Sequence, residues 1–307
     1  MIPERERVAA VVVTHDRAGL LMRCLDGLVA QTRRPDLVVV VDNASADNTM
    51  AVLADREDLP LQVRHSDLNL GGAGGFHLGV LEAMQERADR VWLMDDDVVA
   101  APGCLAALLD ADGPAVLSVR EDRHGNLVEK AAIEFDLRRP WVIRPKRSTV
   151  ESVYGRRDTM PPVVEVQNVS FEGFLVHREV IERVGLPDPS MFIFYDDVDW
   201  ALRMRAAGYR ILAVRDAVMV RQLDFDQQHD MLSWKGFYMY RNLFLVHFRH
   251  GGNVAVRCKP FAITAALLLL SPWRGGPAQA RNVTRALVAA VGMARRPVGR
   301  PEGPTDR

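Results

Sequence analysis

Three adjacent carboxylates, Asp95, Asp96 and Asp97, stand directly after the apolar run at residues 91–94. A run that short and that apolar reads as a buried strand, so the acids sit at its C-terminal end. In open α/β sheets this edge is where ligands bind, and acids clustered there can hold a hard divalent cation that in turn holds a diphosphate. An isolated acidic triplet after a strand is also an ordinary solvated loop, so the rest of the chain decides. A second acidic set, Asp196, Asp197 and Asp199, follows the aromatic stretch Met191-Phe192-Ile193-Phe194-Tyr195 and opens a predicted helix carrying Arg203 and Arg205. The helix dipole alone would favour acids there, which suffices for Asp199. Asp197 is the candidate base, because a site that holds a leaving group must also deprotonate an acceptor. Between the two sets lies Asn69-Leu70-Gly71-Gly72-Ala73-Gly74-Gly75-Phe76. Its glycines would let the backbone approach a ligand, ahead of a helix whose free N–H groups face the same place.

The elements that must position these residues alternate in type. Residues 8–13 are continuously apolar, as expected of a parallel strand buried on both faces, and lead through Thr14-His15-Asp16-Arg17 to a helix with Leu20, Leu21, Cys24, Leu25 and Leu28 in register. Residues 37–41 form a second strand ending in Asp42-Asn43, with a short helix at 50–53. A third strand at 61–64 precedes the glycine run. Such β/α alternation predicts a mostly parallel open sheet. A helix opens at Pro102-Gly103. Residues 120–162 are charged, contain proline and lack periodicity, and read as an excursion from the sheet, either a hairpin or a flap. Strand character resumes at 163–166 and 174–177.

Composition is that of a globular chain, with 48% hydrophobic and 26% charged residues in 307. The net charge of -1 hides an asymmetry: from Arg249 onward ten Arg or Lys face only Glu302 and Asp306. Cys24, Cys104 and Cys258 follow no ligand spacing and argue for a reducing compartment. The charged start, Met1 to Arg7, lacks the apolar core of a signal peptide, so a cytoplasmic protein is expected. A dinucleotide fingerprint fails, because G-x-G-x-x-G counted from Gly72 puts His77 at its last position. Nucleic-acid binding is not expected, since the basic excess is confined to an apolar-flanked tail.

Taken together, the chain resembles the family 2 glycosyltransferases of GT-A fold, and among them the bacterial galactofuranosyltransferases that build cell-wall galactan. The likeness spans roughly residues 8–221 and rests on the glycine motif, on Met94-Asp95-Asp96-Asp97, and on Phe192 to Asp199 with Arg203. It implies a Rossmann-like GT-A domain over 1–222, with 120–162 inserted, followed by a helical, basic acceptor- or membrane-associating region over 223–307. It implies that Thr14, Arg17 and Asp42 contact the nucleotide, that Asn69, Gly71 and Gly72 belong to the donor site, and that Asp96 lies against ribose or sugar. Asp95 and Asp97 would ligate Mn²⁺ or Mg²⁺, and Asp197 would be the base with Asp196 beside it. One departure stands out: where the family usually offers a histidine after its last core strand, this chain has Arg221. Either His229 completes the metal site, or a water does, or Arg221 supports the diphosphate itself.

The expected reaction is metal-dependent inverting transfer of a sugar, galactofuranose from UDP-galactofuranose, to a glycan or polyprenyl-linked glycan. A dTDP-rhamnose-dependent transferase is the nearest alternative, and a non-catalytic sugar-nucleotide binding module the alternative of another class. In the tail, residues 261–270 are uncharged but too few to span a bilayer. Past Pro277, Val283, Leu287, Val291 and Ala294 share a face, with Arg281, Arg285, Arg295 and Arg296 adding charge. Such a helix lies in an anionic headgroup layer at the inner face of the cell membrane, or packs on its own domain or on a second copy of the chain.

Overall fold

A computed structural model describes residues 5–223, 233–273 and 275–296. The chain runs β1 (Val8–Thr14), α1 (Ala18–Val29), β2 (Leu37–Asn43), α2 (Thr49–Ala54), β3 (Leu61–Ser66), α3 (Gly71–Gln85), β4 (Arg90–Asp95), β5 (Val98–Ala100) and α4 (Cys104–Asp110). It continues through β6 (Ala115–Glu121), β7 (Ala132–Phe135), β8 (Lys146–Thr149), α5 (Val150–Tyr154), β9 (Val163–Val166), β10 (Phe174–His177), α6 (Arg178–Val184), α7 (Asp196–Ala206) and β11 (Ile211–Arg221). Four helices close it: α8 (Trp234–His250), α9 (Val254–Arg257), α10 (Lys259–Leu270) and α11 (Gly276–Ala294).

The main sheet has nine strands in the order β3-β2-β1-β4-β10-β6-β11-β5, with β9 paired to β11. Strands β3, β2, β1, β4, β6 and β11 run parallel, while β10, β5 and β9 run against them. This is the mostly parallel α/β architecture expected of a GT-A domain. Both faces of the sheet are covered over β1, β2 and β4, which is why these strands are continuously apolar rather than alternating. Along β1, Ala9, Val11 and Val13 point into the layer containing Phe76, Val80, Trp200 and Met204, while Val8, Ala10 and Val12 point into the layer containing Leu21, Leu25 and Leu105.

The excursion at 120–162 is ordered around a two-stranded antiparallel hairpin, β7 with β8, followed by α5. Its first two residues belong instead to β6. That strand carries Arg120, which is buried because Glu129 and Glu172 pair with it.

Helix α8 packs not on the sheet but chiefly against α11, in a cluster with Ala73 and Met191. The tail helix therefore spends its apolar side, Val283, Ala286, Ala290 and Met293, within the protein. No described helix is long and apolar enough to cross a membrane.

Candidate active site

The acids and the ends of β1, β2 and β4 meet at one edge because of strand register. Val13 lies opposite Asp95 and Thr14 opposite Asp42. Thr14 Oγ1 donates to Asp96 Oδ2 at 2.7 Å, and Arg17 Nη1 donates to Asp96 Oδ1 at 3.1 Å and to Asp97 Oδ2 at 3.3 Å. Both oxygens of Asp96, only 2% exposed, are thus occupied. Burial pushes its carboxyl up to about 6, against the pull of Thr14 and Arg17.

Asp95 is different. Among the described residues no hydrogen-bond donor reaches its carboxylate. Burial, then repulsion from Asp97, Glu172, Asp96 and Asp196, holds it well above the usual carboxylate range. A crowded, unbonded carboxylate beside a second one fits a divalent cation, which would relieve that repulsion. No group of three or more His, Cys, Asp or Glu is gathered as a closed metal cage among the described residues. Two acids plus substrate phosphates are the usual ligand set for Mg²⁺.

Asp42 is fully buried. Its Oδ1 accepts from Ser45 N at 3.1 Å, and His65 Nδ1 bonds its Oδ2 at 2.7 Å. Asn43, the next residue, organises the glycine motif: its Nδ2 donates to Gly71 O at 3.0 Å and to Asn69 Oδ1 at 3.2 Å, and its Oδ1 accepts from Leu70 N at 2.8 Å. The motif is not a loop. Gly71, Gly72, Gly74 and Gly75 are already helix α3, and the smallness of all but Gly72 serves packing. A Cβ on Gly75 would lie 2.5 Å from Val13 Cγ1, and one on Gly79 2.2 Å from Val11 Cγ1. Gly71, at φ +70°, has the Phe192 carbonyl oxygen where a Cβ would stand, 2.0 Å away. Two N–H groups of the α3 start are also taken, Gly71 N by Asn69 Oδ1 and Ala73 N by Phe192 O.

Phe192 belongs to the turn that delivers the second acidic set. Phe192, Phe194 and Tyr195 all have positive φ, at 61°, 68° and 66°, which strains non-glycine residues. Helix α8 holds the turn in place. Asn242 Nδ2 lies 2.8 Å from the carbonyl oxygens of Met191, Ile193 and Phe194, and Arg241 Nη2 donates to Ser190 O and Met191 O at 2.8 Å. Out of this turn α7 presents its acids. Burial and repulsion from Asp197 push Asp196 up to about 8. Burial also raises Asp197 to about 6, opposed by the Val198 N–H and by Lys146 and Arg120. Both carboxyls of this pair are thus raised by burial, and Asp197 is the one with cations, Lys146 and Arg120, acting to favour its charged form. Asp199 turns away into an ion cluster with Arg203 at 2.9 Å, His250 at 2.8 Å and Arg249 at 3.3 Å, beyond simple capping.

Glu172 links the two halves. Its charge acts on both Asp95 and Asp197. Arg120 Nη1 stands 2.7 Å from its Oε1, and Arg221 Nε 3.1 Å from its Oε2. The arginine at the family's histidine position is thus 9% exposed and engaged with a carboxylate. His229 lies outside the described residues.

Sequence reasoning had singled out Thr14, Arg17, Asp42, Asn69, the glycines and both acidic sets, and these gather along one edge. It did not find Asn43's bonding role, His65, Arg120, Glu172 or the Arg241-Asn242 clamp. The one signal for the clamp was an Arg-Asn pair inside an aromatic helix.

An α/β sheet carrying acids past β4 and a second acidic set on the helix that follows a strained aromatic turn is the frame of a GT-A glycosyltransferase. The chain belongs to glycosyl transferase family 2, whose profile matches residues 9–185. It is 33% identical over 250 residues to galactofuranosyltransferase GlfT1 of Mycobacterium tuberculosis, covering 77% of this chain and 81% of that one. It is 36% identical over 206 residues to GlfT1 of Mycolicibacterium smegmatis, covering 66% and 67%. The N-acetylglucosaminyl-diphospho-decaprenol L-rhamnosyltransferase of M. tuberculosis is 26% identical over 263 residues, covering 79% and 84%. The fold is shared with a mannosyltransferase from Pyrobaculum calidifontis solved with GDP-Man and Mn²⁺, at TM-score 0.56 and 23% identity, covering 94% of this chain and 76% of that one. It is shared too with GalNAc-T7 solved with UDP, GalNAc and Mn²⁺, at TM-score 0.62 and 13% identity, covering 92% and 55%.

Proposed function

We propose that this glycosyltransferase transfers galactofuranose from UDP-galactofuranose, with inversion, to a glycan or polyprenyl-linked glycan, in a reaction that depends on Mn²⁺ or Mg²⁺. The observation that carries the reading is the pairing of an unbonded Asp95 beside Asp97 with Asp197 on a separate element, both under the influence of the same Glu172. Kinship with the galactofuranosyltransferases supports the choice of sugar.

In this reading Asp95 and Asp97 would hold the cation, and either His229 or a water completes its shell or Arg221 supports the diphosphate directly. A bound divalent cation supplies Lewis-acid stabilisation to the departing diphosphate. Thr14, Arg17, Asp42, Asn69, Gly71 and Gly72 belong to the donor site. Asp42 has one carboxylate oxygen on His65 and the other on Ser45 N–H, so it meets a uracil through a shared or exchanged bond. Asp96 lies against the ribose or sugar and also fixes Thr14 and Arg17. Asp197 accepts the proton of the acceptor hydroxyl, with Asp196 beside it, its carboxyl raised by burial and by the charge of Asp197. Attack from the face opposite the diphosphate inverts the anomeric centre.

Residues 1–222 form the donor and catalytic part, and the excursion with residues 223–307 the acceptor part. The enzyme works in the cytoplasm, peripheral on the anionic inner face of the cell membrane. Rhamnosyl transfer from a dTDP-sugar is the second reading, favoured by the 26% identity to a rhamnosyltransferase. Calorimetry against UDP- and dTDP-sugars with Mn²⁺, alongside product formation, separates them. Preference for UDP supports the galactofuranosyl reading, preference for dTDP the rhamnosyl one, and binding without turnover a non-catalytic module.

A further inference from the structure

After Asp136-Leu137 the connection between β7 and β8 runs, into the start of β8, Arg138-Arg139-Pro140-Trp141-Val142-Ile143-Arg144-Pro145-Lys146-Arg147. Cations fill half of these positions and no acid interrupts them. Trp141 is 77% exposed and Ile143 83%. Large apolar side chains standing in water among cations are the composition of segments that sit at a membrane interface. Arg139 alone of the four arginines here has acids beside it, Asp136 at 3.5 Å and Glu134 at 3.8 Å. The side chains of Arg144 and Arg147 take no ion pair or hydrogen bond among the described residues.

This exposure is built, not frayed. Val142 is buried between the two exposed residues. Lys259 Nζ donates to Arg139 O at 2.9 Å and to Val142 O at 2.7 Å, Asn253 Nδ2 to Arg138 O at 2.6 Å, and Gly252 N to Leu137 O at 2.8 Å. The segment that anchors the tip adds exposed apolar side chains of its own, Val254 at 75% and Phe261 at 49%. At the other end of the tip Lys146 donates to Lys130 O, and its charge acts on Asp197. One short element thus joins the exposed apolar and cationic surface to the candidate base.

We propose that the 138–147 tip is the surface through which the enzyme docks on an anionic phospholipid bilayer, Trp141 and Ile143 entering the headgroup layer while Arg144 and Arg147 meet lipid phosphates. The inference rests on the peripheral, membrane-facing reading above and deepens it. An acceptor held in that bilayer would then offer its hydroxyl along the hairpin toward Asp197. A bilayer fits better than a second copy of the chain, because a two-fold interface sets a patch against itself and would oppose cation to cation. The apolar side of α11 is covered by α8 and is not required.

The test is co-sedimentation of the full chain with phosphatidylcholine vesicles, with and without phosphatidylglycerol. Trp141→Ser/Ile143→Ser and Arg144→Gln/Arg147→Gln are compared with Leu269→Ser/Trp273→Ser at the far end of α10. The wild type partitions onto the anionic vesicles, and each tip variant loses roughly tenfold in partition, with melting temperature and UDP binding unchanged. Tip variants that partition like the wild type, a loss confined to the α10 variant, or a tip that instead mediates self-association in sedimentation velocity overturns the proposal. A wild type that ignores both vesicles but still transfers sugar to a soluble acceptor sinks the docking surface and leaves the glycosyltransferase standing. Failure of both sinks both.

Discussion

Asn242 Nδ2 lies 2.8 Å from the carbonyl oxygen of Phe194, the residue before the left-handed Tyr195 from which α7 springs. The same nitrogen serves Met191 and Ile193, so one buried amide on α8 fixes a turn that three positive-φ residues would otherwise abandon. Asn242→Leu leaves the Ile193 and Phe194 carbonyls unpaired, Met191 O keeping Arg241, and should cost about 2 kcal/mol of stability. It should also lower kcat more than donor affinity, because Asp197 is carried by the turn while Asp95 is not. Thermal denaturation and steady-state kinetics check both halves. Unchanged kcat would show that the clamp does not position the base.

Asp197 should set the acidic limb of the rate profile. Its carboxyl is raised to about 6, and a base works only when deprotonated, so kcat/KM should climb with pH through about 6 and level off above. Asp197→Asn should reduce turnover by ~10²–10⁴ and abolish that limb. Nucleotide binding, followed by calorimetry, should persist. A variant that keeps wild-type turnover removes Asp197 from the role.

The glycines of α3 give a contrast in stability. Gly79→Ala places a methyl 2.2 Å from Val11 Cγ1 and should destabilise the protein by about 1–3 kcal/mol. Gly72→Ala meets no atom within 4 Å and lies in helix, so it should cost nothing and could add up to about 1 kcal/mol. Melting temperatures decide, and equal values for the two variants would contradict the packing account.

Asp199 governs acid stability rather than chemistry. Burial alone would raise its carboxyl, but the His250 hydrogen bond and the charges of Arg203 and Arg249 outweigh burial and hold it at about 2. A depressed carboxyl stabilises the fold fully above its unfolded value of ~3.9 and loses that contribution as pH falls through about 2. Asp199→Asn should cost about 3 kcal/mol at neutral pH by stranding buried cations. The difference from wild type should shrink on acidification, measured by denaturant titration at several pH values. A constant difference would show that charge is not what Asp199 contributes.

How much of this was legible in the sequence follows from what hydropathy can see. Strands β1, β2 and β4 announced themselves because burial on both faces makes them continuously apolar. Strand β6 did not, since its end carries Arg120, a charge made tolerable in the interior only by Glu129 and Glu172 from distant positions. The glycine run reads locally as a loop, because its reason to be helical is the sheet beneath it, Val11 and Val13 lying where side chains would stand. The acids were found because three carboxylates follow a buried strand and stand in one chain with the glycine motif and a second acidic set. The clamp on their turn was not, because Asn242 meets its partners across some fifty residues of chain. In the tail, amphipathic spacing marked α11 correctly as a helix with one apolar face, and only the fold shows α8 covering it.

The central claim is a cation held between Asp95, Asp97 and a diphosphate. Anomalous diffraction at the manganese edge, from crystals grown with Mn²⁺ and UDP, tests it most directly. A single peak within bonding distance of the Asp95 and Asp97 carboxylates and of diphosphate oxygens, lost in Asp95→Asn, is the expected result. UDP bound at this edge with no manganese between it and the two acids would contradict the account.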